Sequence, residues 1–155
     1  MDVNADIARV LDANFNRARE AVRVLEEYAR LVLNDAGVAE QAKRLRHDLA
    51  SAFAEHGLAE VVRARDIAGD VGTELETDAE YRRASSAEVV LAAGKRLGEA
   101  LRVLEEYGKT HSEPLARSIE RLRYEGYELE RRLAVRLHAR QRFGGVRLYV
   151  IVTES

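Results

Sequence analysis

Glu20-Ala-Val-Arg-Val-Leu-Glu-Glu-Tyr28 returns 79 positions later as Glu99-Ala-Leu-Arg-Val-Leu-Glu-Glu-Tyr107. A second correspondence follows it, Lys43-Arg-Leu-Arg-His-Asp48 against Glu120-Arg-Leu-Arg-Tyr-Glu125. Each half thus holds two segments in the same order, the mark of a helical hairpin written twice. Two copies are too few for an open solenoid. The chain therefore predicts an all-α fold, a bundle of four main helices built from a duplicated helical hairpin.

Working outward, Ile7, Val10, Leu11, Asn14, Ala18, Ala21, Val22, Leu25, Tyr28, Ala29 and Val32 recur at spacings of three and four. That is one apolar stripe on a helix of roughly 40 Å. Asn34-Asp35-Ala36-Gly37 reads as its stop. A second helix is expected over 38–56, with Ala42, Leu45, Leu49 and Phe53 inward and Gly57 closing it. A shorter helical piece over 58–64 leads to a non-periodic central loop, 65–77. Thr77-Asp-Ala-Glu80 and Ser85-Ser-Ala-Glu88 have capping-box spacing and start a small helix and then the third long one, which ends near Gly108. Ser112-Glu-Pro114 opens the fourth, which runs to about Arg140. Beyond Gly144-Gly145, Val146-Arg-Leu-Tyr-Val-Ile-Val152 reads as an orphan strand. It either adds to another chain's sheet or belongs to a domain lying beyond residue 155.

A chain of 155 residues is one ordinary domain. With 25 basic against 27 acidic residues, it lacks the positive field that non-specific nucleic-acid binding needs. The absence of cysteine excludes a disulfide scaffold, a thiolate zinc site and a cysteine nucleophile, and points to the cytoplasm. There is no signal-like start and no apolar run of about 20 residues, so no membrane role is expected. Four scattered histidines without an HExxH pair make a histidine metal centre a poor reading.

Charge is more informative. Arg17, Glu20, Arg23 and Glu27 form a flank on the first helix, and Arg96, Glu99, Arg102 and Glu106 repeat it on the third. One reading is a solvent face of ion pairs worth about 0.2–0.5 kcal/mol each. The other sets the two flanks facing across a pseudo-twofold axis as a cleft, with arginine forks for phosphate and carboxylates for a hard cation. Arg65-Asp66-Ile-Ala-Gly69-Asp70-Val-Gly72-Thr73 gathers carboxylates, a guanidinium, glycines and a hydroxyl in the central loop. It is either a connector closed by Asx-turns or a ligand loop in which Gly69 and Gly72 let the backbone approach an anion. No G-x-x-x-x-G-K-[ST] occurs. Asn14 lies on the apolar stripe and needs a partner, either a neighbouring helix or the edge of a heterocycle. Tyr28, Tyr107, Tyr124 and Tyr127 read as core rings with wet hydroxyls. The arginine-rich stretch 131–142 reads as a solvated helix end.

Four strings, Asp12-Ala-Asn-Phe-Asn-Arg-Ala-Arg-Glu-Ala-Val-Arg-Val-Leu-Glu-Glu-Tyr28, Leu45-Arg-His-Asp48, Ala64-Arg-Asp-Ile-Ala-Gly-Asp-Val-Gly-Thr-Glu74 and Ala100-Leu-Arg-Val-Leu-Glu-Glu-Tyr-Gly108, carry a resemblance over nearly the whole chain. They resemble the helical hydroxymethylpyrimidine-phosphate kinase of thiamine synthesis, found alone or fused ahead of thiamine-phosphate synthase. Arg147-Leu-Tyr-Val-Ile-Val-Thr153 also resembles the first barrel strand of that synthase, which divides the chain into a helical domain, 1–143, and a junction, 144–155. The resemblance implies that ATP and Mg²⁺ serve to convert the pyrimidine monophosphate to its diphosphate. It departs from the family at Ala93, where a second asparagine is expected to match Asn14, and at Ile67-Ala68, where the family loop reads Thr-Pro. For that reaction the charge pattern offers Asp66, Asp70 and Arg65 as catalytic groups, and Asp66, Asp70, Glu27 and Glu106 as metal ligands. Arg17, Arg23 and Arg102, with Gly69, Gly72 and Thr73, are the phosphate-binding candidates, and Asn14 is the reader of the pyrimidine. A synthase in cis and a homo-oligomer are compatible partners. The competing expectation is a non-catalytic docking, dimerisation or ligand-sensing domain attached to the synthase.

Overall fold

A computed structural model describes residues 4–61 and 83–145. These residues form four long helices: α1 Ala5–Glu27, α2 Ala36–Glu55, α3 Ser86–Gly108 and α4 Glu113–Phe143. Each starts on a short polar side chain that accepts from a first-turn amide. The caps are Asn4 to the Asp6 N–H (2.8 Å), Asp35 to Val38 (3.0 Å), Ser85 to Glu88 (3.3 Å) and Ser112 to Leu115 (3.2 Å). At Ser85 the box is reciprocal in kind, since the Glu88 carboxylate accepts from the Ala84 N–H at 2.9 Å. α2 ends in a Schellman motif, with Gly57 at φ 74° and the Leu58 N–H donated to the Phe53 carbonyl at 2.8 Å. α4 runs three residues past Arg140, to the pair Gly144 and Gly145.

α1 does not stop at its last α-helical residue. It widens into a π-helical turn, Tyr28–Val32, in which the Leu33 N–H reaches back five residues to the Tyr28 carbonyl at 3.0 Å. Asn34 then takes the left-handed conformation, φ 51°, and hands the chain to the Asp35 cap.

Neighbouring helices run antiparallel around a ring in the order α1, α2, α4, α3. Phe15 stacks on Phe53 at 4.1 Å and Glu26 meets Arg46 at 3.1 Å, which fixes α1 against α2. Arg136 donates to Asp35 at 2.9 Å, which fixes α2 against α4. At Gly126, where an added Cβ would lie 3.3 Å from Leu101 Cδ1, the missing side chain brings α4 close to α3. Closing the ring makes α1 and α3 antiparallel, with Leu25 near the end of one and Val90 near the start of the other. The core is aliphatic, led by Leu11, Leu25, Leu45, Leu101, Leu104 and Ile119. Truncating one such leucine costs about 2–5 kcal/mol.

Two expectations are corrected. Of the four tyrosines read as core rings, Tyr28 is buried, while Tyr107, Tyr124 and Tyr127 are 41%, 59% and 42% exposed. The arginines of 131–142 are not merely solvated, because Arg132 donates to Gln41, Arg136 to Asp35 and Arg140 to the Val32 carbonyl, tying α4 to the α1–α2 connection. No helix of the described residues is long and apolar enough to cross a membrane. The central loop 65–77, the small helix at 77–80 and the strand 146–152 lie outside the described residues.

Candidate functional site

The α1–α3 seam carries small residues. Ala21, Ala93 and Ala100 are buried there, so the two helices approach closely and the longer side chains beside them stand up as walls. The result is an open hollow of ≈690 Å³ lined by Asn14, Arg17, Glu20, Ala21 and Val24 from α1 and by Ala93, Arg96, Glu99, Ala100 and Val103 from α3. The two sets match term by term at a separation of 79 positions, the spacing of the sequence repeat. With α1 and α3 antiparallel, matched positions lie on either side of a local twofold axis through the hollow.

The electrostatics single out four of these groups. Elsewhere the helices are laced with short-range pairs, such as Arg23 to Glu27 at 3.0 Å, Arg102 to Glu106 at 2.8 Å, Arg121 to Glu125 at 2.7 Å and Arg131 to Glu128 at 2.7 Å. Arg17 with Glu20, and Arg96 with Glu99, have the same i,i+3 spacing as Arg23 with Glu26. Yet none of these four makes a hydrogen bond or ion pair among the described residues. Among the described residues, two guanidiniums and two carboxylates therefore face one hollow without a hydrogen bond or short ion pair, Glu99 adding only a longer-range attraction to Lys95 of its own helix. An arginine fork matches a phosphate, and carboxylate oxygens suit a hard divalent cation that keeps part of its water shell.

Asn14 is buried, and its Nδ2 donates to the Val10 carbonyl at 2.9 Å. Its partner is thus its own helix, where a neighbouring helix or a heterocycle was expected. Because that carbonyl only accepts, it orients the amide, leaving the oxygen and the second Nδ2 hydrogen as what Asn14 can offer a ligand.

Of the other sequence candidates, the described residues place Arg23, Arg102, Glu27 and Glu106 away from the central hollow and already paired. Arg23 meets Glu27, Arg102 meets Glu105 at 2.9 Å as well as Glu106, and Glu27 also takes Arg30 at 3.2 Å. The Lys109 ammonium at 2.9 Å, together with Arg102, holds the Glu106 carboxyl below its usual range. No group of three metal-ligating side chains occurs among the described residues. Arg65, Asp66, Gly69, Asp70, Gly72 and Thr73 lie outside the described residues. Arg96, Glu20 and Glu99 were legible as members of the charged flanks but were not singled out; the signal was the repeat itself, which pairs Arg17 with Arg96.

Behind the hollow, two buried carboxylates hold α1 to α2 and α3 to α4. Glu26 meets Arg46 Nε at 3.1 Å, and Glu105 meets Arg123 Nε at 2.6 Å. The second pair is further enclosed by Tyr124 and Tyr127, whose rings lie 4.7 and 5.4 Å from the Arg123 guanidinium. The Tyr127 hydroxyl and Glu105 together raise the Arg123 pKa above its usual value.

A family model described as the ThiD2 family matches residues 9–132, which is most of the chain. The chain belongs to the ThiD2 family. Its relatives include proteins named thiamine-phosphate synthase from Rhodopirellula baltica, 44% identical over 150 residues, and from Nostoc punctiforme, 43% over 150. Another of that name, from Synechocystis, is 43% identical over 124 residues. These alignments cover 94%, 96% and 80% of this chain but 40%, 41% and 35% of the relatives, so the chain spans about two fifths of their length. Their names tie the family to thiamine biosynthesis. No solved structure matches this ThiD2 chain.

Proposed function

We propose that this ThiD2 chain transfers the γ-phosphoryl group of Mg-ATP to 4-amino-2-methyl-5-hydroxymethylpyrimidine monophosphate, giving the diphosphate. The observation that carries the reading is the hollow with Arg17 and Arg96 on opposite walls, neither making a hydrogen bond or ion pair among the described residues. An oxygen of the acceptor phosphate bonds to the γ-phosphorus while the bond from that phosphorus to the β-bridging oxygen breaks, releasing ADP. A phosphate monoester has its second pKa near 6 and is already anionic at pH 7, so no side chain has to remove a proton. The requirement is to hold two repelling anions in line, and one arginine for each does that. Glu20 and Glu99 are the carboxylates in reach of a cation between the phosphates. These two carboxylates would hold Mg²⁺ there, and the ion would supply neutralisation of phosphate charge. The alanines and Val24 and Val103 offer an apolar bed to a flat pyrimidine, whose amino group the Asn14 oxygen can accept. The chemistry leaves room for loop ligands from Asp66, Asp70 and Arg65.

The matched hollow positions, and the match of Glu26 and Arg46 to Glu105 and Arg123, support reading the hairpins as copies of one unit. The test of function is ADP release with Mg-ATP and either the monophosphate or the parent alcohol. ADP formed on the monophosphate is the expected result; faster turnover of the alcohol would overturn the acceptor assignment.

A second reading is favoured by the relatives' names and lengths: a helical domain that docks on, or senses ligand for, a thiamine-phosphate synthase in the same chain. Calorimetry and ADP release together separate them, since a docking domain takes up neither Mg-ATP nor the pyrimidine phosphate and a sensing domain binds ligand without forming ADP.

A further inference from the structure

The matched hollow does not have matched surroundings. Next to it on α1, Asn16, Arg19, Glu20 and Arg23, with Arg46 of α2, line a second hollow of ≈390 Å³, and Glu20 belongs to both. Arg19 lies over the Phe15 ring at 5.3 Å and makes no hydrogen bond or ion pair among the described residues. Arg46 reaches Glu26 through Nε, and Arg23 reaches Glu27, so both guanidiniums form the wall beside Arg19 while held in place from below.

On α3 the corresponding positions are Lys95, Gly98, Glu99 and Arg102, and that face is filled. Lys95 is bound to Glu130 at 2.9 Å, and Arg102 is bound to Glu105 and Glu106. The Tyr127 ring lies on Gly98, where even a Cβ would come within 3.2 Å of the ring. An arginine in place of Gly98, as α1 has at Arg19, has no room there.

A phosphoryl donor and a phosphorylated acceptor differ most in anionic length: three phosphates in a row against one. The central hollow supplies one fork to each side, and among the described residues a further guanidinium without a hydrogen bond or ion pair follows past Glu20, at Arg19. We propose that the second hollow holds the polyphosphate of the phosphoryl donor, so that the donor enters over the α1–α2 side and the acceptor phosphate rests on Arg96. This rests on the kinase reading for the identity of the donor, but the hollow itself is a polyphosphate site in chemical terms.

The experiment is calorimetric titration of the whole chain with inorganic tripolyphosphate in magnesium buffer, alongside the KM for ATP. It compares the wild type, Arg19→Gln and, for an equal charge change away from the hollow linings, Arg121→Gln. Arg121 is an exposed partner of Glu125 outside both hollows. Arg19→Gln is expected to weaken tripolyphosphate and raise the KM for ATP about tenfold, with the acceptor KM and the Arg121→Gln values unchanged. Absence of tripolyphosphate binding by the wild type, or equal effects of the two variants, overturns the proposal. Arg19-dependent tripolyphosphate binding without ADP formation retains this site and removes the kinase reading. ADP formation with an ATP KM indifferent to Arg19 removes this site and retains the kinase.

Discussion

The two hairpins carry the same pair of buried ions in different wrapping. In the first, Glu26 and Arg46 keep 11% and 22% of their side chains exposed; in the second, Glu105 and Arg123 keep 5% and 9%. The positions of Tyr124 and Tyr127 on α4 correspond to His47 and Ala50 on α2, and among the described residues no tyrosine or phenylalanine ring lies over the Arg46 guanidinium. The two equivalent-looking ion pairs thus differ in access to water: the Glu105–Arg123 pair is sealed and the Glu26–Arg46 pair is partly open.

The largest test of this contrast removes an arginine and strands its carboxylate. Arg123→Met is expected to cost about 3–5 kcal/mol in urea unfolding, because Glu105 is left buried without a counter-charge. Arg46→Met should cost less, about 1–3 kcal/mol, since water reaches Glu26. Equal losses would mean that the wrapping carries no energy. Next in size, Arg17→Gln and Arg96→Gln are each expected to lower kcat for ADP release about 10²–10³-fold, the scale of losing one charge-stabilising donor, with unfolding midpoints near wild type. A smaller change is Tyr127→Phe. It deletes the 3.3 Å hydrogen bond from Arg123 to the Tyr127 hydroxyl and should cost about 1 kcal/mol without altering activity.

The smallest effect is acid sensitivity. The Val38 amide and Arg136 lower the pKa of Asp35, and Lys109 lowers that of Glu106. A depressed folded-state pKa stabilises the fold above the ordinary carboxylate range, about pH 4, and that contribution is lost as pH falls through the lower folded values. Thermal midpoints should therefore hold steady from neutrality to about pH 5 and decline below about pH 4. A decline that begins near neutrality would contradict this assignment.

The fold was legible because its signals are local. Asn34, Asp35, Gly57, Ser85 and Ser112 punctuate the chain at or next to the helix ends. Membership of the hollow was less legible, for a geometric reason. At about 100° per residue, Arg17, Ala21 and Val24 stay within about 60° of one another, while Arg23 has rotated about 120° from Arg17. A row at spacings of three therefore drifts off the seam, which is why Arg17 and Arg96 line the hollow and Arg23 and Arg102 do not. The burial of Glu26 and Glu105 was illegible, since a glutamate pair beside an apolar stripe has the same pattern whether it faces water or an arginine of the next helix.

The π-helical turn at Tyr28–Val32 has a consequence for how the halves stay in step. From Tyr28 to Lys43 the chain takes fifteen positions, against thirteen from Tyr107 to Glu120. The surplus falls between Tyr28 and the Asp35 cap, the stretch that holds the π-helical turn, since Asp35 to Lys43 and Ser112 to Glu120 are both eight positions. A change of chain length at a helix end can thus be absorbed as girth, leaving the distant seam undisturbed.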